Sequence, residues 1–96
     1  MKKEMKARVQ ELVEAIADND ILQDQIDDRI NLTTFCGWMG ETMNCCGEEG
    51  VYDAWEEFDK ENALEYYCQL LKDKDAIEDW DWDYAHQNII IKKVEE

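Results

Sequence analysis

Met5, Val9, Leu12, Val13 and Ile16 recur at steps of three and four residues, which sets them in one stripe of a helix with Lys6, Glu11 and Glu14 outside it. The pattern predicts a first helix over 3–17. It stops at Ala17, and Asp18, Asn19 and Asp20 supply side-chain oxygens able to cap a following helix. Leu22, Ile26 and Ile30 then form a narrower stripe, with Asp24, Asp27 and Asp28 on the solvent side, which predicts a second helix over 20–31. From Leu32 to Gly47 the pattern reads two ways. LTTFCGW could be a short strand, while Thr34 could cap a helix over 34–46 in which Phe35, Met39, Met43 and Cys46 share a face, and the helix is preferred. Gly37 and Gly40 weaken that helix, and their spacing suggests close approach by another backbone. Gly47 is placed to end it and Gly50 to open the next element.

The run from Glu48 to Tyr84 organises the rest of the chain. Its apolar stripe changes direction partway, because Val51, Ala54, Trp55 and Phe58 make one helical face and Ala63, Tyr67, Leu70 and Leu71 another, rotated by roughly half a turn at 100° per residue. One straight helix cannot bury both. Asp59 can cap a fresh start, so two helices are expected, over 51–58 and 60–73, with a break near 59–61. Beyond Lys72 the period becomes two: Trp80, Trp82 and Tyr84 alternate with Asp79, Asp81 and Asp83, the mark of a strand with one buried face. A helix over 75–85 competes, since Ile77, Trp80 and Tyr84 also align on it. The β-branched run Ile89–Ile91 favours a terminal hairpin over about 78–94, its loop at 85–88. In that register Tyr84 faces Ile89, Trp82 faces Ile91 and Asp81 faces Lys92. A lone hairpin is marginal, so it must pack on the helices or find a third strand, for which Leu32–Phe35 is the candidate. The fold class is α+β: a small, mainly helical single domain over 1–96 with a C-terminal β-hairpin.

Composition changes the picture in one respect. The chain carries a net charge of −15 on 96 residues, and between Glu41 and Asp83 fifteen carboxylates meet only Lys60, Lys72 and Lys74, a local net of −12. Three of the four Trp, all four Tyr and Phe58 lie in the Glu48–Tyr84 run, whereas disordered acidic tails are poor in aromatics. The run is therefore expected to be folded, with one packed and one strongly negative face. The basic start of the chain is broken by Glu11, Glu14 and Asp18 before any continuous apolar stretch, and Ile89–Ile91 is too short to span a bilayer. These features predict a cytoplasmic protein with reduced thiols.

Candidate chemistry is sparse. Asp79, Asp81 and Asp83 have the opening spacing of an EF-hand calcium loop, but Tyr84 stands where the turn needs Gly and Ile90 where the bidentate Glu belongs. Cys36, Cys45, Cys46 and Cys68 with His86 lack a CxxC spacing, and buried thiols are the simpler reading than zinc. His86 has no serine to activate, because the chain contains none, and the Glu56–Glu57 pair alone does not make a glycosidase. No enzyme and no cofactor is expected. Trp38, Trp55, Trp80 and Trp82 serve more often as core than as interface anchors, so two or three are expected buried and one partly exposed.

The charge remains to be explained. Small soluble domains usually manage with a net magnitude of about 2 to 8, and a larger one destabilises the compact state by self-repulsion. Such a surface repels nucleic acid and anionic membrane, so neither is expected as a direct ligand. The expected partner is a basic nucleic-acid-binding protein such as a CRISPR effector, a restriction enzyme or a nuclease toxin. Carboxylates a helical turn apart, such as Glu49, Asp53, Glu57 and Glu61, lie about 6 Å from one another, near the spacing of successive phosphates on one strand. The candidate partner-binding residues are Glu49, Asp53, Glu56, Glu57, Asp59, Glu61, Asp79, Asp81 and Asp83. In size, charge and absence of catalytic motifs the whole chain resembles the anti-CRISPR and antirestriction proteins of phages and mobile elements that mimic nucleic acid. That resemblance of profile rests on no shared motif and implies inhibition of a basic effector. An immunity protein for one nuclease toxin and a nonenzymatic adaptor are the alternatives, and a homodimer is a possible assembly.

Overall fold

The first stripe folds as its spacing predicts. In the computed structural model, which describes residues 3–19, 23–24, 26, 28–46 and 50–93, helix α1 runs Lys3–Ala17 and buries Val9, Leu12, Val13 and Ile16. The side chain of Met5 and all of Leu22 lie outside the described residues. Of the helix expected over 20–31, residues 20–22, 25 and 27 lie outside the described residues, and its last three residues form strand β1, Arg29–Asn31, instead. Ile30 is better buried beside Ile89 of the hairpin than on a short helix, and the ladder secures it: Ile91 N–H donates to the Asp28 carbonyl at 2.8 Å and Leu32 N–H to the Gln87 carbonyl at 3.0 Å. The third strand that a hairpin needs is therefore Arg29–Asn31, three residues before the segment expected to supply it.

Helix α2, Leu32–Cys46, follows with no loop. Its cap is Asn31, not Thr34: the Asn31 Oδ1 accepts the Thr33 N–H at 2.9 Å, while the Asn31 side-chain amide donates to Asn88 Oδ1 at 2.8 Å. One residue thus closes a strand, caps a helix and ties both to the hairpin. Phe35, Met39 and Met43 are buried as their spacing predicts; the Cys46 side chain and Gly47 lie outside the described residues. Gly37 is not a close-approach point, since an added Cβ there would meet nothing within 4 Å.

The break in the acid run is real. Helix α3, Val51–Glu57, opens on Gly50 at φ 88° and ends where Phe58 turns extended; α4, Lys60–Asp73, starts afresh on Asp59, whose side chain accepts the Glu61 and Asn62 N–H groups. The two faces it separates both reach the core, Val51, Ala54 and Trp55 from α3, and Ala63, Leu64, Tyr67, Cys68 and Leu71 from α4. Helix α4 ends with Asp75 at φ 60°, its N–H on the Lys72 carbonyl and the Ala76 N–H on the Leu71 carbonyl, the bond pattern of a Schellman motif.

Strands β2 (Asp79–Asp83) and β3 (Asn88–Lys92) form the hairpin, and the sheet order is β1-β3-β2, antiparallel throughout. The strand reading of the DWDWD stretch holds and the competing helix over 75–85 does not form. The register differs by two residues from the expected one: Trp82 pairs with Ile89, Trp80 with Ile91, and Asp79 with Lys92. The turn is 84–87 rather than 85–88, because Gln87 takes a positive φ of 53° and Asn88 is drawn into the sheet by Asn31. A shift of two preserves sidedness, so Trp80, Trp82, Ile89 and Ile91 still share the inward face.

Candidate partner-binding surface

The inward pull of Val51, Ala54 and Trp55 decides where the acids of α3 go: Asp53, Glu56 and Glu57 are all exposed on its other side. Asp53 and Glu57 stand one turn apart, about 6 Å. The row expected to continue at this spacing is interrupted, because the extended Phe58 ends α3 and Glu61 belongs to the first turn of α4. Glu49, the row's other end, lies outside the described residues. Asp59 is exposed but employed: its Oδ1 accepts the Glu61 N–H at 3.0 Å and the Asn62 N–H at 3.3 Å.

Asp79, Asp81 and Asp83 form a second group on β2, opposite the face that carries Trp80 and Trp82. Asp79 Oδ1 accepts from the Trp80 N–H at 2.9 Å and from Lys72 Nζ at 3.2 Å; the backbone bond and then the lysine hold its carboxyl below the usual range. Asp81 Oδ1 accepts the Trp82 N–H at 2.9 Å, and Asp83 is within 2.9 Å of His86 Nδ1. The nine predicted acids therefore do not converge in one cluster. Those of α3 ride on a helix packed against α1, and those of β2 on an edge strand lying along α4.

Helix α4 links the groups through three residues that spacing alone did not single out. Glu65 Oε1 accepts the Trp82 indole N–H at 2.5 Å, and Lys72, two turns further on, meets Asp79, so β2 runs antiparallel to the helix beside it. Lys60 is the third. Its ammonium lies 4.7 Å from the centre of the Trp55 ring and donates to the Trp55 carbonyl and, at 3.0 Å, to the Phe58 carbonyl, closing the negative end of α3. Its place just past the end of an acidic helix was the available signal. Lys74 is also engaged, with Asp18 and the Ala17 carbonyl. All three lysines of the acid run are thus tied down, and among the described residues no cation lies within ion-pair distance of Asp53, Glu56 or Glu61.

Of the tryptophans only Trp55 is fully buried; Trp38, Trp80 and Trp82 are half-buried, fewer in the core than expected. Trp82 stacks on Tyr84 with ring centres 5.4 Å apart, and Tyr84 is 71% exposed. The thiols are dispersed. Cys45 is exposed, Cys36 half-buried with burial raising its thiol, and Cys68 buried with its thiol pushed up to about 12, all three free. Among the described residues no three His, Cys, Asp or Glu side chains are grouped to hold a metal. A cleft of about 410 Å³ is lined by Gln23, Asp24, Ile26, Leu71, Ala76, Ile77 and Lys93, and among these residues it brings no nucleophile to a base. No described helix is long and apolar enough to cross a membrane. Neither a protein-family model, nor a curated protein, nor a solved structure matches this chain.

Proposed function

We propose that the chain is a small nonenzymatic inhibitor that works in the cytoplasm by occupying the nucleic-acid-binding site of a basic effector protein, in the manner of anti-CRISPR and antirestriction proteins. One observation carries the reading: the cations of the acid run are consumed by the fold, while Asp53, Glu56 and Glu61 stand exposed and without a counter-ion among the described residues. A chain of net charge −15 whose acid run spends its three lysines on helix ends and one strand edge leaves a negative field directed outward. Such a field speeds the encounter with a positive groove and selects against partners of like sign. Exposed aromatic surface at Tyr84, beside the acids of β2, supplies contact area that charge alone does not.

The test uses the immobilised chain against a nuclease-treated lysate at low salt and at about 0.5 M salt, where the screening length falls to about 4 Å. The expected result is retention of a nucleic-acid-binding protein that is released by added DNA or RNA and by salt. Retention should be lost in the triple variant Asp53→Lys, Glu56→Lys, Glu61→Lys, and kept when Glu11 and Asp24 are reversed instead. A retained protein indifferent to nucleic acid and to the triple reversal overturns the proposal.

A further inference from the structure

The alternation of Asp with Trp on β2 has a consequence for the sheet edge. Because Ile91 N–H and the Gln87 carbonyl bond toward β1, the odd-numbered residues of β3 serve β1 and the even-numbered ones serve β2. The pairs Asp79–Lys92, Asp81–Ile90 and Asp83–Asn88 therefore exchange the ladder bonds of the hairpin, and the N–H groups of Trp80 and Trp82 point away from it. No strand among the described residues lies on that side. An open edge of this kind is a template for another strand. Here both outward donors are already taken, Trp80 N–H by Asp79 Oδ1 and Trp82 N–H by Asp81 Oδ1, each at 2.9 Å.

We infer that the free edge of β2 is a strand-pairing surface held shut by Asp79 and Asp81, and that removing the two carboxylates lets two copies of the chain join edge to edge. The second copy is the occupant the geometry favours. Antiparallel pairing about a two-fold axis at Asp81 sets Trp80 opposite Trp82 of the second copy, so that each outward N–H finds a carbonyl and the indole faces continue across the junction. The same register sets Asp81 opposite Asp81 and Asp79 opposite Asp83, like charges directly across a ladder. The carboxylates thus oppose pairing twice, by occupying the donors and by repelling their counterparts.

Sedimentation velocity across a range of concentrations separates the two effects. Wild type is expected to sediment as the 11.4 kDa monomer, and Asp79→Ala, Asp81→Ala to shift with concentration toward twice that mass. Asp79→Asn, Asp81→Asn keeps a carbonyl oxygen to cap each donor without charge and should remain monomeric. Asp53→Ala, Glu56→Ala removes equal charge elsewhere and should also remain monomeric. Should the double alanine variant fail to fold, as judged by its near-UV tryptophan signal, Asp81→Ala alone carries the test, because it leaves the Lys72–Asp79 pair in place. A folded alanine variant that stays monomeric at every concentration overturns the inference, as does dimerisation of the asparagine variant or of Asp53→Ala, Glu56→Ala to the same extent.

Discussion

Tyr67 offers the sharpest test of how this core is held together. Its ring is wholly buried, stacked on Phe35 with centres 5.4 Å apart and edge-on to Trp38 at 6.1 Å, yet its hydroxyl has no hydrogen-bond partner among the described residues. An unpaired buried hydroxyl costs about 1–3 kcal/mol in proteins. Tyr67→Phe keeps the ring contacts and removes the cost, so it should stabilise the fold by about 1 kcal/mol, a rise in Tm of about 4–8 °C for a domain of this size. Tyr67→Leu, which forfeits the ring packing, should instead cost about 2–4 kcal/mol. Alkaline pH adds an independent readout. Burial raises both the Tyr67 phenol above its ordinary 10.0 and the neighbouring Cys68 thiol from 9.0 to about 12. Each group contributes stability that is complete below its unfolded value and is lost as pH rises, from about pH 9 for Cys68, at a slope of up to about 1.4 kcal/mol per pH unit for each proton. Urea unfolding followed by circular dichroism should show Tyr67→Phe more stable than wild type at pH 7, with a shallower decline above pH 10. Loss of more than about 1 kcal/mol at pH 7 would mean that the hydroxyl is satisfied in solution and would refute the reasoning.

Two further outcomes are expected. Asp75 holds a positive φ of 60° in the Schellman motif that ends α4, a position where Gly carries no Cβ penalty, so Asp75→Gly should raise stability by about 0.5–1 kcal/mol in the same urea assay. Timed alkylation followed by mass spectrometry should modify Cys45 first, Cys36 more slowly, and Cys68 only when the chain unfolds, in the order of their exposure and of the burial that keeps the last two protonated.

The elements that the residues announced were those whose burial is decided locally. The stripe of α1, the reversal of face at Asp59 and the period-two run of β2 each reflect side chains that the core then receives. What the chain concealed was settled between distant segments. Ile30 lies at helical spacing from Ile26, and only the arrival of Ile89 and Ile91 from the far end makes Arg29–Asn31 a strand. The hairpin register turned on Asn88, a polar residue that reads as loop until Asn31 bonds it, 57 positions away. The acid surface was legible in sign but not in arrangement, because Lys60, Lys72 and Lys74 look like partial neutralisation in the sequence and prove to serve Trp55, Asp79 and Asp18.

That arrangement separates the acids employed by the fold from those it leaves free for the proposed partner. Asp59 caps α4, Asp79 and Asp81 close the edge of β2, and Asp83 meets His86 at the hairpin turn, so the fold itself accounts for four of the nine. Asp53, Glu56 and Glu61 make no such contact among the described residues, and they sit where α3 and the first turn of α4 add negative charge to one another. Repulsion among uncompensated acids favours the unfolded chain. Neutralising Glu56 should therefore leave stability unchanged or raise it, and neutralising Asp53 or Glu61 should cost no more than about 0.3–1 kcal/mol, the contribution of an acid in the first turn of a helix, whereas neutralising Asp59 or Asp79 removes contacts that hold the structure. Exposed acids without a counter-ion among the described residues, set on both sides of the break between α3 and α4, are the residues on which the proposed binding to a basic partner rests.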